Sequence, residues 1–248
     1  MKNRSPRLTG ALSILAVAAL LAVTGQAAWR IKQSMTLARL SEPLQAAPVA
    51  PLQSLLIVGD STAVGTGASS PAHSVAGLIA RDHPRLGIVN RAEDGAKFSD
   101  IDRQLAGNER FDAILVMGGG NDVIRFTGSE ALEHDIANVA QSARVRAGLV
   151  FILPPGNVGN APFFFAPLSW LMTQRAKALH RFVREVAADN GAVYVNLYQD
   201  RADDPFAQQP DEFNARDGLH PSDTGYQLWY DTLMTQGGFT TRLAALAR

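Results

Sequence analysis

The 248-residue chain has no cysteine, and that one absence closes several routes. Thiol nucleophiles, disulfides and thiolate metal sites are excluded. Histidine is scarce, with five in the chain, so few side chains can serve as a base near neutral pH. Acid is missing from the N-terminus, where the first carboxylate is Glu42. Five of the 23 lysines and arginines lie at or before Lys32, which leaves 18 bases against 23 acids in the remainder, a formal charge of −5. Nucleic-acid binding needs a basic footprint, and this body lacks one. Also absent is the lysine of a phosphate loop: Gly59 and Gly65 are separated by five residues where that loop has four, and no Lys follows. The dinucleotide fingerprint that starts at Gly65-Thr66-Gly67 fails at Ser70, where its last glycine belongs.

What is present begins with an export signal. Lys2, Arg4 and Arg7 precede an uncharged apolar run from Leu8 to Trp29, and Arg30 and Lys32 follow it. The run is longer than a usual signal-peptide core of roughly 7–15 residues and approaches the ~20 that span a bilayer. Residues 1–32 are therefore expected to be a signal sequence or a membrane anchor. Gly25-Gln26-Ala27 offers a cleavage site. Either way the basic flank stays inside and the body is exported to the periplasm, where residues 8–29 could hold it at the inner membrane. Residues 33–52 read as an Ala/Pro-rich linker, and 53–248 as one domain of ordinary size.

In that domain short apolar runs alternate with amphipathic stretches. The runs are Leu55–Val58, Gly87–Val89, Ala113–Met117, Leu149–Leu153 and Ala192–Leu197. Helical patterns cover Ala72–Asp82, Phe98–Leu105, Glu130–Ala147 and Leu168–Asn190, and a last helix runs from about Pro221 to Gln236. Such alternation predicts βαβ units and a parallel sheet between helices, an α/β fold.

The stretch "IVGDSTAVGTG" from Ile57 ends the first strand. Gly59-Asp60-Ser61-Thr62-Ala63 approaches the G-x-S-x-G turn that exposes a nucleophilic serine, with Ala at the fifth position. Alone it reads equally well as a turn serine. A serine hydroxyl needs a base to attack at neutral pH. His73, His83, His134 and His180 read as surface or core residues. His220 lies in "ARDGLHPSDTGY", three residues after Asp217 and just before Pro221, which suits a first helical position. The carboxylate can orient the imidazole and leave its other nitrogen to take the Ser61 proton. Oxyanion donors are offered by Gly95 in "NRAEDGAKF" and by the Asn121 side chain in "MGGGNDV", each after a strand. The glycines around Ser61 and Asn121 read as room for the substrate.

Together, "GDS" at 59–61, glycine at 95 after Asn90, "GGND" at 119–122 and "DGLH" at 217–220 resemble the four blocks of the SGNH, or GDSL, hydrolases, over about residues 53–236. Thr62 stands where that family usually has leucine. The resemblance implies a three-layer α/β/α sandwich with a five-stranded parallel sheet in flavodoxin-like order. It implies Ser61 as nucleophile, His220 as base and Asp217 as its orienter. The oxyanion hole would be the Ser61 N–H, the Gly95 N–H and the Asn121 amide. No cofactor or metal is expected. The expected activity is hydrolysis of carboxylic esters, of the lysophospholipase or short-chain esterase type, with a small-molecule, lipid or carbohydrate ester as substrate. A carbohydrate O-acetylesterase or an acyltransferase would use the same site. A membrane-tethered binding protein with an inactive site is the reading from another class. Phe163–Phe165, in the loop after the fourth strand, read either as core or as an acyl pocket or apolar lip.

Overall fold

The computed structural model describes residues 24–246. Five strands form one sheet: β1 (Gln53–Gly59), β2 (Leu86–Asn90), β3 (Phe111–Met117), β4 (Ala147–Leu153) and β5 (Val193–Tyr194). Their order is β2-β1-β3-β4-β5 and every pair is parallel. The chain reverses direction across the sheet between β1 and β3, where open α/β sheets bind ligands at the carboxyl ends of the strands.

Strand periodicity explains the layers. Successive side chains of β1 alternate between faces. Leu55 and Ile57 enter one core, with Val75 and Ile79 of α3 (Val75–Asp82), Tyr226 and Leu233 of α10 (Asp223–Thr235) and Phe239 of α11 (Phe239–Ala245). Leu56 and Val58 enter the other, with Phe98 and Ile101 of α4 (Phe98–Gln104), Ile136 and Val139 of α6 (Ser129–Arg146) and Leu179 and Val183 of α7 (Leu168–Asp189). All four β1 residues are fully buried, as strands covered on both faces must be. Each such side chain contributes about 1.5–3 kcal/mol by leaving water.

The major elements fall where hydrophobic spacing puts them. The departures have local causes. β5 is two residues long because Asn196 Oδ1 accepts the Tyr198 N–H at 2.9 Å and turns the chain away. Pro221 precedes α10 rather than opening it: Ser222 is the cap, its hydroxyl accepting the Gly225 N–H at 3.2 Å. Residues 24–40 are helical (α1), so the stretch read as a linker from residue 33 starts in a helix. Its remainder does not run free. Ala46 exchanges backbone hydrogen bonds with Ile88 (3.0 and 2.8 Å), and the Gln45 side chain bonds both backbone groups of Asn90. β2 is an edge strand, and an unpaired edge is a liability that covering segments remove. Among the described residues no helix is long and apolar enough to cross a membrane. The expected span over 8–29 lies mostly outside the described residues.

His180 is a core histidine, as read. Its ring lies 2.7 Å from both the Tyr194 hydroxyl and the Pro155 carbonyl. Burial pushes its pKa down to about 4. The unfolded chain therefore binds a proton that the folded chain refuses between pH 6.5 and 4, and stability falls as pH falls through that window. The loss is expected to reach roughly 3 kcal/mol. Urea unfolding at pH 7 and pH 4.5 should show it in the wild type and show less of it in His180→Gln; equal losses in both would contradict the assignment.

Candidate active site

Five loops at the carboxyl edge of the sheet converge on a cavity of about 320 Å³. The loop after β1 brings Ser61, the loop after β2 brings Gly95, the loop after β3 brings Asn121, the loop after β4 brings Asn157 and Val158, and the segment before α10 brings His220.

Ser61 opens a single helical turn, α2 (Ser61–Val64). Asp60 caps this turn, its Oδ1 accepting the Thr62 N–H at 2.9 Å and the Thr62 hydroxyl at 2.7 Å. Gly65 ends it in the left-handed conformation. The turn is held to the sheet by Gln104 of α4. The Gly59 N–H donates to Gln104 Oε1 at 2.7 Å, and Gln104 Nε2 donates to the Gly59 carbonyl at 2.9 Å. Burial raises the pKa of Asp60, opposed by the bonds from Thr62. Sequence spacing gives no sign of Gln104, because it acts 45 residues from the glycine it holds.

Asp217, His220 and Ser61 form one hydrogen-bonded line. His220 Nδ1–H donates to Asp217 Oδ2 at 2.6 Å, and the Ser61 hydroxyl donates to His220 Nε2 at 2.9 Å. The other Asp217 oxygen accepts the backbone N–H groups of Leu219 (3.0 Å) and His220 (3.1 Å). An ionised carboxylate accepts all three, and that fixes the imidazole tautomer with Nε2 free to take a proton. Burial alone would raise the Asp217 pKa. The bond and charge of His220 and the two amides outweigh it, so the carboxyl sits below its ordinary value. Asp217 is fully buried, while His220 and Ser61 are 7% and 8% exposed, so the line is shielded by protein and reaches the cavity at its Ser61 end.

Gly95 has φ +78° and adjoins the same cavity. Neither its N–H nor that of Ser61 bonds another described group of the chain. Asn121, in α5 (Gly120–Ile124), donates one amide proton to the Ala96 carbonyl at 3.1 Å. An amide carries two, so this bond orients the side chain beside Gly95 and leaves a second donor. Asp122, next in sequence, accepts the Phe98 N–H at 3.0 Å and the Thr127 hydroxyl at 2.9 Å, which ties α5 to α4. The three donors and the proton acceptor border one cavity and can serve an acyl transfer: attack by Ser61 Oγ, with negative charge developing beside the donors.

One expectation needs correction. Most of the glycines around Ser61 and Asn121 are not room for substrate. A Cβ on Gly118 would meet Ile101 at 2.7 Å, and one on Gly119 would meet Leu179 and Phe98 at 2.9 Å. Gly65 is pressed against Ser74, and Gly67 against Pro221 and His220. Of the third glycine-rich block only Gly120 reaches the cavity. Close packing of protein on protein is what requires them. Of the readings left open for Phe163–Phe165, an acyl pocket is not the one seen, because none of the three lines the cavity. Phe164 packs partly buried against the core, and Phe165 is 41% exposed. The residues that sequence reasoning missed are Val158, Phe206 and Trp229, which give the cavity apolar wall, and Gln104.

The model of the GDSL-like lipase/acylhydrolase family matches residues 57–228. The chain belongs to that family. It is 28% identical over 188 residues to the GDSL-like esterase Rv1075c of Mycobacterium tuberculosis, a match covering 72% of this chain. The chain spans 60% of the length of that relative. Among solved structures, the hydrolase LAE5 from the metagenome of Lake Arreo superposes with a TM-score of 0.58 at 20% identity, over 76% of this chain and 96% of its own. The acetylxylan esterase Axe2 of Geobacillus stearothermophilus gives a TM-score of 0.52 at 20% identity, over 77% and 97%. At such identities these two likenesses bear on the fold, and they agree with the GDSL-family α/β/α sandwich. The four sequence blocks from Gly59 to His220 all fall inside the family match.

Proposed function

We propose that this GDSL-family protein is a serine esterase that cleaves carboxylic esters of short acyl chains through an acyl-enzyme on Ser61. The observation that carries the reading is the line Asp217–His220–Ser61, closed at 2.6 and 2.9 Å and opening on one cavity. In the first half-reaction Ser61 Oγ bonds the ester carbonyl carbon while its proton passes to His220 Nε2. The oxyanion is met by the Ser61 and Gly95 N–H groups and the Asn121 amide. The tetrahedral adduct expels the alcohol, which takes the proton from His220. Water then attacks the acyl-enzyme, gives its proton to His220, and the carboxylic acid leaves as Ser61 regains its hydrogen.

The cavity supports the chain-length assignment. About 320 Å³ is at the small end of ligand sites. Several of its polar side chains are already engaged: Asp204 bonds Asn160 and caps a turn, and Asn214 donates to two carbonyls. What remains for substrate is largely apolar, from Ile124, Val158, Phe206 and Trp229, and suits an acyl group. The small volume also favours a second reading, an acetyl ester of a carbohydrate, the substrate type that the name of Axe2 carries. For location, the basic flanks around residues 8–29 support an exported body tethered at the membrane.

A fluorophosphonate probe tests the reading: Ser61 should be labelled in the full chain, and p-nitrophenyl acetate and butyrate should be better substrates than the palmitate. No labelling would favour an inactive binding protein. Asn121→Ala should lower kcat by about 10²–10³ with little change in KM, because the amide acts on charge that appears only in the transition state. A change confined to KM would remove Asn121 from the oxyanion site.

A further inference from the structure

The family match begins at Ile57, yet part of the cavity comes from before it. Ser34, Met35 and Ala38 of α1 line the same space as Ser61, Gly95, Asn121 and His220. Residues three and four apart share a helix face, so Arg30, Ser34 and Ala38 form a row turned towards the body, with Met35 beside it. Arg30 seats the row. Its guanidinium lies 5.9 Å from the centre of the Phe165 ring. Its Nη1 is 3.7 Å from where a Cβ on Gly218 would be, next to Asp217. That nitrogen is buried without a hydrogen-bond partner, and a buried unpaired donor opposes the contact that buries it. The helix thus covers the site without being locked to it. Met35 is 52% exposed, so its side chain stands at the rim, partly in the cavity and partly in water. Methionine is unbranched and flexible, and it yields to the shape of what it meets.

We propose that α1 is a specificity-determining wall of the catalytic cavity and that Met35 sets the length of acyl group admitted. The proposal rests on Ser61 forming an acyl-enzyme. A short acyl group fits under Met35, whereas a longer one must push it aside or lift α1. The wall comes from the segment that follows the N-terminal apolar run, outside the residues that the family model matches.

The test uses the full chain with Met35→Ala and Met35→Trp, assayed on p-nitrophenyl acetate, butyrate and octanoate. Met35→Trp should lower the octanoate-to-acetate ratio of kcat/KM about tenfold, and Met35→Ala should raise it by a similar factor, since even one methylene in a pocket is worth that much. Thermal unfolding of both variants, with fluorophosphonate labelling of Ser61, reports folding independently of the ratio. A second measurement uses the absence of cysteine: Met35→Cys carries a single thiol. Its reaction with a maleimide should slow when Ser61 carries an octyl phosphonate and not when it carries an ethyl phosphonate. Labelling of Ser61 with an unchanged ratio in both variants and no difference in thiol protection would overturn the wall and leave the esterase intact. Failure of Ser61 to take any phosphonate would overturn both.

Discussion

Ser61→Ala is expected to lower kcat on p-nitrophenyl acetate by about 10⁴–10⁶-fold, and adding His220→Ala to it should cost almost nothing more. The reason is that the two residues act as a unit. Without the hydroxyl, the imidazole 2.9 Å away has no proton to take. Without the imidazole, the hydroxyl stays a poor nucleophile near neutral pH. A residual rate should persist, because the Gly95 N–H and the Asn121 amide still stabilise an oxyanion formed by attack of water. Both side chains border the cavity, and the dominant cores on either face of the sheet do not include them. The variants should therefore fold, and thermal unfolding of each would separate lost chemistry from lost structure. Multiplicative losses in the double variant, or a loss below about tenfold in either single one, would contradict the assignment.

Gly59→Ala is expected to be the most damaging single change to stability, at about 4–5 kcal/mol, the range reached only by backbone conflict or core disruption. A Cβ there would lie 1.8 Å from the Met117 carbonyl oxygen and 2.8 Å from the Ala63 Cβ. The oxygen is backbone of the adjacent strand and already accepts the Asp60 N–H at 2.9 Å, so it cannot rotate away. The φ of +154° is also one that side chains rarely adopt. Relief would require β1 to move off β3, breaking the parallel pair that ends at Gly59 and Met117. It would also break the two bonds to Gln104 that fix the turn carrying Ser61. Urea denaturation of the purified variant reads the loss, and a change under 1 kcal/mol would show that the strand end tolerates a side chain. Gln104→Leu offers a milder comparison: it keeps the glycine and removes only the bracket.

How much of this was legible beforehand depended on the range of each signal. The strands from β1 to β4 and the long helices α6 and α7 are written in local periodicity, which is a property of neighbouring residues. Asp217 and His220 are three residues apart, so their bond at 2.6 Å follows from one turn of chain. The order of blocks around Ser61, Gly95, Asn121 and His220 is likewise linear information, and it named the family. The apolar run 192–197 is longer than β5, because such a run does not show that the Asn196 side chain will turn it. The Ala/Pro-rich composition of residues 41–52 does not show that the edge of β2 needs covering. The role of the glycines is not legible, because a sequence shows that a side chain is missing and not what it would strike.

The sequence by itself determined the alternation that makes a parallel sheet, and the residue types able to attack, accept a proton and hold an oxyanion. Only the tertiary structure decided which of those residues meet. Ser61 and His220 are 159 positions apart and touch because two loops leave the same edge of one sheet. Gln104, Phe206 and Met35 enter the site from elements whose patterns are those of ordinary helices and turns. Their positions are set by packing across the chain, and contact at a distance leaves no mark on local spacing.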